Sequence, residues 1–319
     1  MKVVCFKQYA GSGKTGGHLV FESICEAMSE IFSVEVKEFP IYDESSIKKK
    51  IRYLIDMRRC VRDAIKNGDQ VYGLDRAGTI DYIQPVLYKS GFLGFMEIMK
   101  ERLTLFYLAG FSDKRKACIF VSEYIRKSYK KGICKGPVIY PPLLENIQLD
   151  YSAKQDLILT ISRISKEKNI EAVGNLSNKI DAKFVVIGFV TNKDMKYLEK
   201  LKKRYPNLTI IHNASSDVKQ MYLRKAKILL HPTINEPYGM TKIEGMAAGC
   251  VPLVHRSGGN PENIPDGYTF RDLDEAEQKI TEILRNYNMG TAVKMAEFVM
   301  DMNMNNFKQK IKQYLKGVL

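Results

Sequence analysis

The sequence predicts an α/β fold of two domains, each a parallel sheet flanked by helices. Apolar bursts of strand length alternate with helical patterns along both halves, the signature of parallel α/β sheets. The length of 319 residues is long for one domain and suits two. Near mid-chain the proline pair Pro141-Pro142, followed by polar residues, interrupts the alternation. The expected division is therefore an N-terminal domain at 1–145 and a C-terminal domain at 146–290. A long helical segment at 291–319 is left free to pack back on the first domain.

In order, the first half reads "KVVCF", a helix over 18–31, "SVEVKEF", a helix over 46–66, "QVYGL", "ACIFVS" and a basic helix from Glu123. The second half restarts with "DLILTIS", "KFVVIG", "LTIIHN", "KILLHPT" and "VPLVH", each followed by a helical or turn segment. In the middle of the first domain, "SGFLGFMEIMKERLTLFYLAGF" is rich in large apolar groups broken by charges. It suits a buried helix pair or an apolar lip for a hydrophobic acceptor.

Composition narrows the function classes. Hydrophobic content of 45% and charged content of 27% are those of a soluble globular protein. No apolar run reaches the length of a membrane span, and "MKVVCFKQYA" turns polar too soon for a secretory signal. Six cysteines without a C-x-x-C pair read as reduced, mostly buried thiols in a cytoplasmic compartment, with no zinc site. The net charge is +14, and residues 46–68 hold eight basic and two acidic residues along a helical apolar stripe. Such a segment is either a surface helix packed on a sheet or a patch for an anionic membrane. No helix-turn-helix or aromatic RNA-binding signature accompanies the charge, so no nucleic acid is expected as a partner.

Two stretches bear on phosphate chemistry. The first, "GSGKTGG" at 11–17, follows the first strand and opens a helix. As a P-loop it fails, because the first required glycine falls on Gln8. As a dinucleotide fingerprint it fits in letters (Gly11, Gly13, Gly16), but Gln8-Tyr9-Ala10 separate it from the strand. What survives both templates is Gly16-Gly17 at a helix start, where backbone can approach an anion closely. The second stretch, "HPTINEPYGMTKIEGMAAGCVPLVHRSGGNPE", ends a strand at His231-Pro232, presents Glu236 in a loop and begins a helix near Met240. Glu236 and Glu244 can both face that helix start, where the N–H groups of Gly239, Met240 and Thr241 are unpaired. The arrangement suits a diphosphate flanked by two carboxylates that accept hydrogen bonds from sugar hydroxyls. Thr241 and Glu244 also spell a capping box, which needs no ligand. Upstream, Arg163 and Lys168 follow the strand "DLILTIS" and suit a diphosphate leaving group.

Taken in order, "SRISKEKNIEAV", "FVVIG", "SSDVKQMYLRKAKILLHPTINEPYGMTKIEGMAAGCVPLV", "GGNPE" and "DGYTF" resemble the C-terminal half of a GT-B glycosyltransferase of the retaining family 4 (group 1) type, glycogen-synthase-like in the broad sense. "GGHLVFESICEAMSE" and "ACIFVSEYIRKSYKKG" are similar to that family's N-terminal half. The resemblance implies two Rossmann-like domains facing across a crevice. It implies a retaining, hexosyltransferase-type enzyme that moves a sugar from a nucleotide-diphosphate donor, UDP- or GDP-linked, to a saccharide, lipid-linked or other acceptor. Arg163, Lys168 and the N–H groups around Tyr238, Gly239, Met240 and Thr241 would hold the diphosphate. Glu236 would orient the transferred sugar and Glu244 would take the ribose. The loop from Asn213 to Val218 would lie beside the base, and Gly16 and Gly17 would meet the phosphates from the first domain. Neither cofactor nor metal is implied; Asp272-Leu273-Asp274, a D-x-D triplet, reads as surface charge. Many relatives keep a histidine in the middle of the first domain, whereas this chain has only His18, His212, His231 and His255. A sugar-nucleotide epimerase of the same fold and a P-loop-like NTPase are the alternatives. Peripheral contact with a membrane through 46–68 is a further expectation.

Overall fold

A computed structural model describes residues 2–8, 16–39, 59, 63, 67, 70–72, 80–83, 117–128 and 136–318. The glycine-loop residues 9–15, nearly all of the basic segment 46–68 and the apolar stretch 90–111 lie outside the described residues. The chain forms two compact units, Met1–Leu144 with Met304–Leu319, and Glu145–Asn303.

The first unit contains β1 (Lys2–Gln8), α1 (Gly16–Ser29), β2 (Ser33–Phe39), β3 (Gln70–Tyr72), β4 (Ile80–Ile83), β5 (Ala117–Phe120) and α2 (Glu123–Ser128). Its strands are parallel in the order β2-β1-β3-β4-β5. Val3 and Cys5, two residues apart on one strand face, are buried. Val20, Ile24, Ala27 and Met28 form the matching buried stripe of α1 at helical spacing. Cys5, Cys25 and Cys250 are buried and form no disulfide. Cys118 is disulfide-bonded, which corrects the expectation of six reduced thiols.

The second unit carries β6 (Gln155–Ile161), α3 (Ile170–Ser177), β7 (Lys183–Gly188), α4 (Met195–Arg204), β8 (Leu208–His212), α5 (Ser216–Lys225) and β9 (Ala226–His231). There follow α6 (Met240–Ala247), β10 (Val251–His255), β11 (Thr269–Phe270), α7 (Leu273–Asn286) and α8 (Met289–Phe298). All six strands are parallel, in the order β11-β10-β9-β6-β7-β8. The chain starts at the centre with β6, runs outward through β7 and β8, then crosses back to β9 on the other side of β6. Strand order therefore reverses between β6 and β9. In open α/β sheets, ligands bind beyond the carboxyl ends of the strands at such a switch point.

Strand alternation explains the two cores. Ile158, Phe184, Val186, Ile228 and Leu230 pack against Leu198 and Leu201 of α4 and Ile280 of α7. Leu157, Leu159, Val185, Ile187 and Leu229 face the other way, toward Leu223 of α5 and Cys250. With both faces covered, the strand ends alone remain available for chemistry.

The tail differs from the sequence expectation. Residues 291–303 stay with the second unit, where α8 packs on α6. Only α9 (Met304–Val318) belongs to the first. It buries Phe307, Ile311 and Leu315 at four-residue spacing and packs on α1. Lys308 pairs with Glu26 at 2.8 Å, Lys312 pairs with Glu30, and Tyr314 Oη accepts from the Cys118 N–H at 3.3 Å. Among the described residues no helix is long and apolar enough to cross a membrane.

Candidate active site

The site grows from the loops that leave β6 and β9, the two strands at the switch point. Beyond β6, Arg163 and a short 3-10 turn at Lys166–Lys168 precede α3. Asn169 adopts a left-handed backbone (φ 53°), ends that turn and donates from Nδ2 to Pro232 O at 3.2 Å. The bond ties the β6 loop to the β9 loop and brings Lys168 over it. Lys168 Nζ meets Glu236 Oε2 at 2.5 Å, with the two side chains 19% and 15% exposed. His231, buried at the end of β9, places Nε2 at 3.7 Å from the same carboxylate oxygen, beyond hydrogen-bond reach. Burial alone would raise the Glu236 pKa, but the His231 ring and the Lys168 ammonium outweigh it and hold the carboxyl at about 2. Glu236 is therefore an anion across the physiological range and no proton donor.

The turn after Glu236 shapes an anion site. Gly239 precedes α6 with φ 77°, a conformation that side chains rarely adopt. A Cβ there would also lie 3.3 Å from both Asn260 Oδ1 and His231 Nε2. No side chain caps α6, so the Met240 and Thr241 N–H groups have no intrahelical acceptor. The capping-box reading fails on this geometry. Thr241 sits inside the first turn, with Oγ1 at 3.4 Å from His231 Nδ1. His231 Nε2, Thr233 Oγ1, Asn260 Oδ1, Ser165 Oγ and Arg163 Nε are buried atoms without a hydrogen-bond partner among the described residues. Unsatisfied groups of this kind are rare in folded proteins.

The residues singled out from sequence fall into three groups. Lys168, Glu236 and the Gly239–Thr241 turn are brought together. Arg163 belongs to the same loop, and its guanidinium pairs with Glu167. Glu244, one turn into α6 with a side chain 12% exposed, contacts Lys219 Nζ at 3.4 Å, and Lys219 in turn holds Glu145 at 2.6 Å. Burial raises the Glu244 pKa, the Glu145 carboxylate adds to the rise and Lys219 opposes it. Asn213 (φ 55°) accepts at Oδ1 from the Val190 N–H at 3.3 Å. Val218 donates its N–H to Ser215 Oγ, the N-cap of α5. Tyr238 is 2% exposed, so its side chain supports the loop from inside. Gly16 and Gly17 open α1 in the first unit. The D-x-D triplet has a local explanation: Asp272 caps α7 by accepting from the Glu275 N–H at 2.9 Å, and Asp274 pairs with Lys179 at 3.2 Å. Among the described residues no cluster of three or more metal-ligating side chains is present.

With this geometry in place, comparison with known proteins is informative. The pattern described as glycosyl transferases group 1 matches residues 146–309, just over half of the chain. The chain belongs to this family. It is 33% identical over 160 residues to the GDP-Man:Man(3)GlcNAc(2)-PP-Dol alpha-1,2-mannosyltransferase of Mus musculus, covering 43% of this chain and 32% of that protein. Across the first curated relatives, the matched part spans only 28% to 46% of their length. Among solved structures, sucrose-phosphate synthase from Thermosynechococcus elongatus matches with a TM-score of 0.77 at 13% identity, covering 99% of this chain and 98% of that one. HepE of Anabaena, in complex with UDP and glucose, matches with a TM-score of 0.70 at 12% identity, covering 99% and 100%. These likenesses show the GT-B fold, with parallel sheets in both units.

Sequence reading missed four residues of this candidate site. His231 stood in the sequence only as the end of a strand, yet its ring lies beside Glu236. Lys219 and Glu145 are 74 residues apart in sequence, and only the fold joins them to Glu244. Lys242 is the least expected, since a lysine in the first turn of a short helix normally reaches solvent. Here it is 0% exposed, lies 4.4 Å over the Tyr238 ring, and donates to Gly259 O and Asn260 O at 2.9 Å each. The one signal in sequence was its position beside Gly245 and Met246 on the packed face of α6.

Proposed function

We propose that this chain transfers a sugar from a nucleotide-diphosphate sugar to a hydroxyl acceptor, with retention at the anomeric carbon and without a metal ion. One observation carries the reading. At the switch point of the second unit, an ionised carboxylate and the Lys168 ammonium meet beside an uncapped helix N-terminus, with Arg163 in the same β6 loop as Lys168. The N–H groups of Met240 and Thr241, with the positive end of α6, take the donor's diphosphate. Lys168 and Arg163 exchange their present partners, Glu236 and Glu167, for phosphate oxygens, whose charge grows as the sugar leaves.

Glu236, freed from Lys168, accepts hydrogen bonds from the transferred sugar and stabilises positive charge at its anomeric carbon. The bond from that carbon to the phosphate oxygen breaks, and the electron pair stays on the phosphate. The acceptor oxygen bonds the carbon from the same face, and its proton passes to the departing phosphate. Glu244 receives the ribose, and the Asn213–Val218 loop lies beside the base. The mouse relative named for GDP-Man and the Anabaena structure holding UDP support a nucleotide-sugar donor. A saccharide or lipid-linked acceptor is in keeping with the first of these names.

A thermal-shift panel of UDP, GDP, ADP, ATP and NAD, with EDTA present, tests the reading. Stabilisation by UDP or GDP is expected, reduced in Arg163→Ala and Glu244→Ala. With a cognate donor, Lys168→Ala should lower the transfer rate by about 100- to 1,000-fold, the size of effect seen when one preorganised charge-stabilising donor is removed. Product analysis should find the donor's anomeric configuration kept. ATP turnover, or an absolute need for divalent metal, would sink the proposal.

A further inference from the structure

The loop Ser257–Asn260 grips the Glu236 loop at every turn. The Asn235 N–H donates to Ser257 Oγ at 2.8 Å, and the Gly259 N–H donates to Glu236 O at 2.7 Å. Asn260 Nδ2 donates to Thr233 O at 2.7 Å. Gly258 (φ 65°) comes so close that a Cβ there would stand 2.4 Å from Glu236 O. The gripping loop is itself held at Ser257 by the His255 ring, 2.8 Å from Ser257 Oγ, and at its far end by Lys242. Lys242 Nζ donates to Gly259 O and to Asn260 O, while the Tyr238 ring closes its third side.

A fully buried ammonium is costly unless it is hydrogen-bonded or paired. This one reaches backbone oxygens of a loop, so it fixes that loop's height above α6. A methionine would fill the same space at less electrostatic cost but could not hold the two carbonyls.

We propose that Lys242 is a positioning residue: its buried ammonium locks the 257–260 loop beneath Glu236 and so sets where that carboxylate meets the transferred sugar. Diphosphate contacts are made by backbone N–H groups at the start of α6 and by the β6 loop, neither of which Lys242 bonds. Its loss therefore strikes recognition of the sugar and spares recognition of the nucleotide. The inference rests on the donor reading above and deepens it.

Calorimetry with the pairs UDP and UDP-glucose, and GDP and GDP-mannose, separates the two. Wild-type protein should bind one sugar nucleotide more tightly than its nucleoside diphosphate. In Lys242→Met, affinity for that sugar nucleotide should fall at least 5-fold, while the diphosphate's Kd stays within 2-fold. Gly258→Ala pushes the same loop from the Glu236 side and should give the same selective loss, which keeps the test decisive if Lys242→Met does not fold. Equal loss for both ligands means a merely structural role and overturns the proposal. So does an unchanged pair of affinities, or a wild type that gains nothing from the sugar. If neither nucleoside diphosphate binds the wild type, the donor reading itself has failed.

Discussion

At the residue scale, the site lowers the pKa of two ionisable side chains, which favours the charged form of Glu236 and disfavours the charged form of Lys242. Glu236 falls from 4.5 to about 2, because the His231 ring and Lys168 outweigh the effect of burial. Lys242 falls from 10.5 to about 7 through burial, against the pull of Glu262 and Glu236. For Glu236 the unfolded chain holds the proton more tightly. Its contribution, on the order of 3 kcal/mol, is therefore present above pH 4.5 and lost as pH falls through 2. For Lys242 the unfolded chain again binds more protons, now between pH 7 and 10.5, so stability rises with pH across that window. Urea unfolding at pH 7 and pH 9.5 should show wild type gaining stability at the higher pH, by a few kcal/mol in order of magnitude. Lys242→Met should lose that gain. An equal response in both proteins would mean that the lysine keeps its proton in the folded state across this range, so that burial does not lower its pKa.

Elements explain what sequence made legible and what it hid. Both loops of the site follow apolar runs that end in chemistry-bearing residues, "DLILTIS" before Arg163 and "KILLH" before the Glu236 loop. Strand, turn and helix start were readable there because local patterning and tertiary role agree. At the tail they diverge. "MGTAVKMAEFVMDMNMNNFKQKIKQYL" contains neither glycine nor proline after Gly290, so periodicity reads it as one helix. The structure divides it into α8 and α9, which serve different units. Lys242 was hidden for a related reason: a helical position looks exposed until the loop that covers it is in place. Gly239 illustrates an element whose geometry is the function. Gly239→Ala should destabilise the fold by about 1–3 kcal/mol, because of its positive φ and the tight approach to His231 and Asn260. It should also weaken nucleoside diphosphate binding, since the turn aims the first N–H groups of α6. Chemical denaturation and calorimetry on one preparation check both effects. A variant that loses stability but keeps full affinity would remove the turn from the anion site.

For the whole molecule, charge is divided unevenly in a way that separates capture from holding. Of the net +14, residues 145–303 carry only +2, and residues 1–144 with 304–319 carry +12. Within the second unit the cations nearest the site are already matched, Lys168 by Glu236, Arg163 by Glu167 and Lys219 by Glu145. On the donor reading proposed above, long-range attraction for a polyanionic donor would come mainly from the excess of the whole chain, and retention from short contacts that salt screens weakly. The Debye length shrinks from about 30 Å at 0.01 M salt to about 8 Å at 0.15 M. The association rate of a fluorescent nucleoside diphosphate, followed by stopped flow, should therefore fall roughly 10-fold between those conditions, while its dissociation rate changes by less than about 2-fold. A salt-independent association rate would mean that the basic excess plays no part in donor capture. The +12 would then have to be explained by some other anionic partner of the first unit.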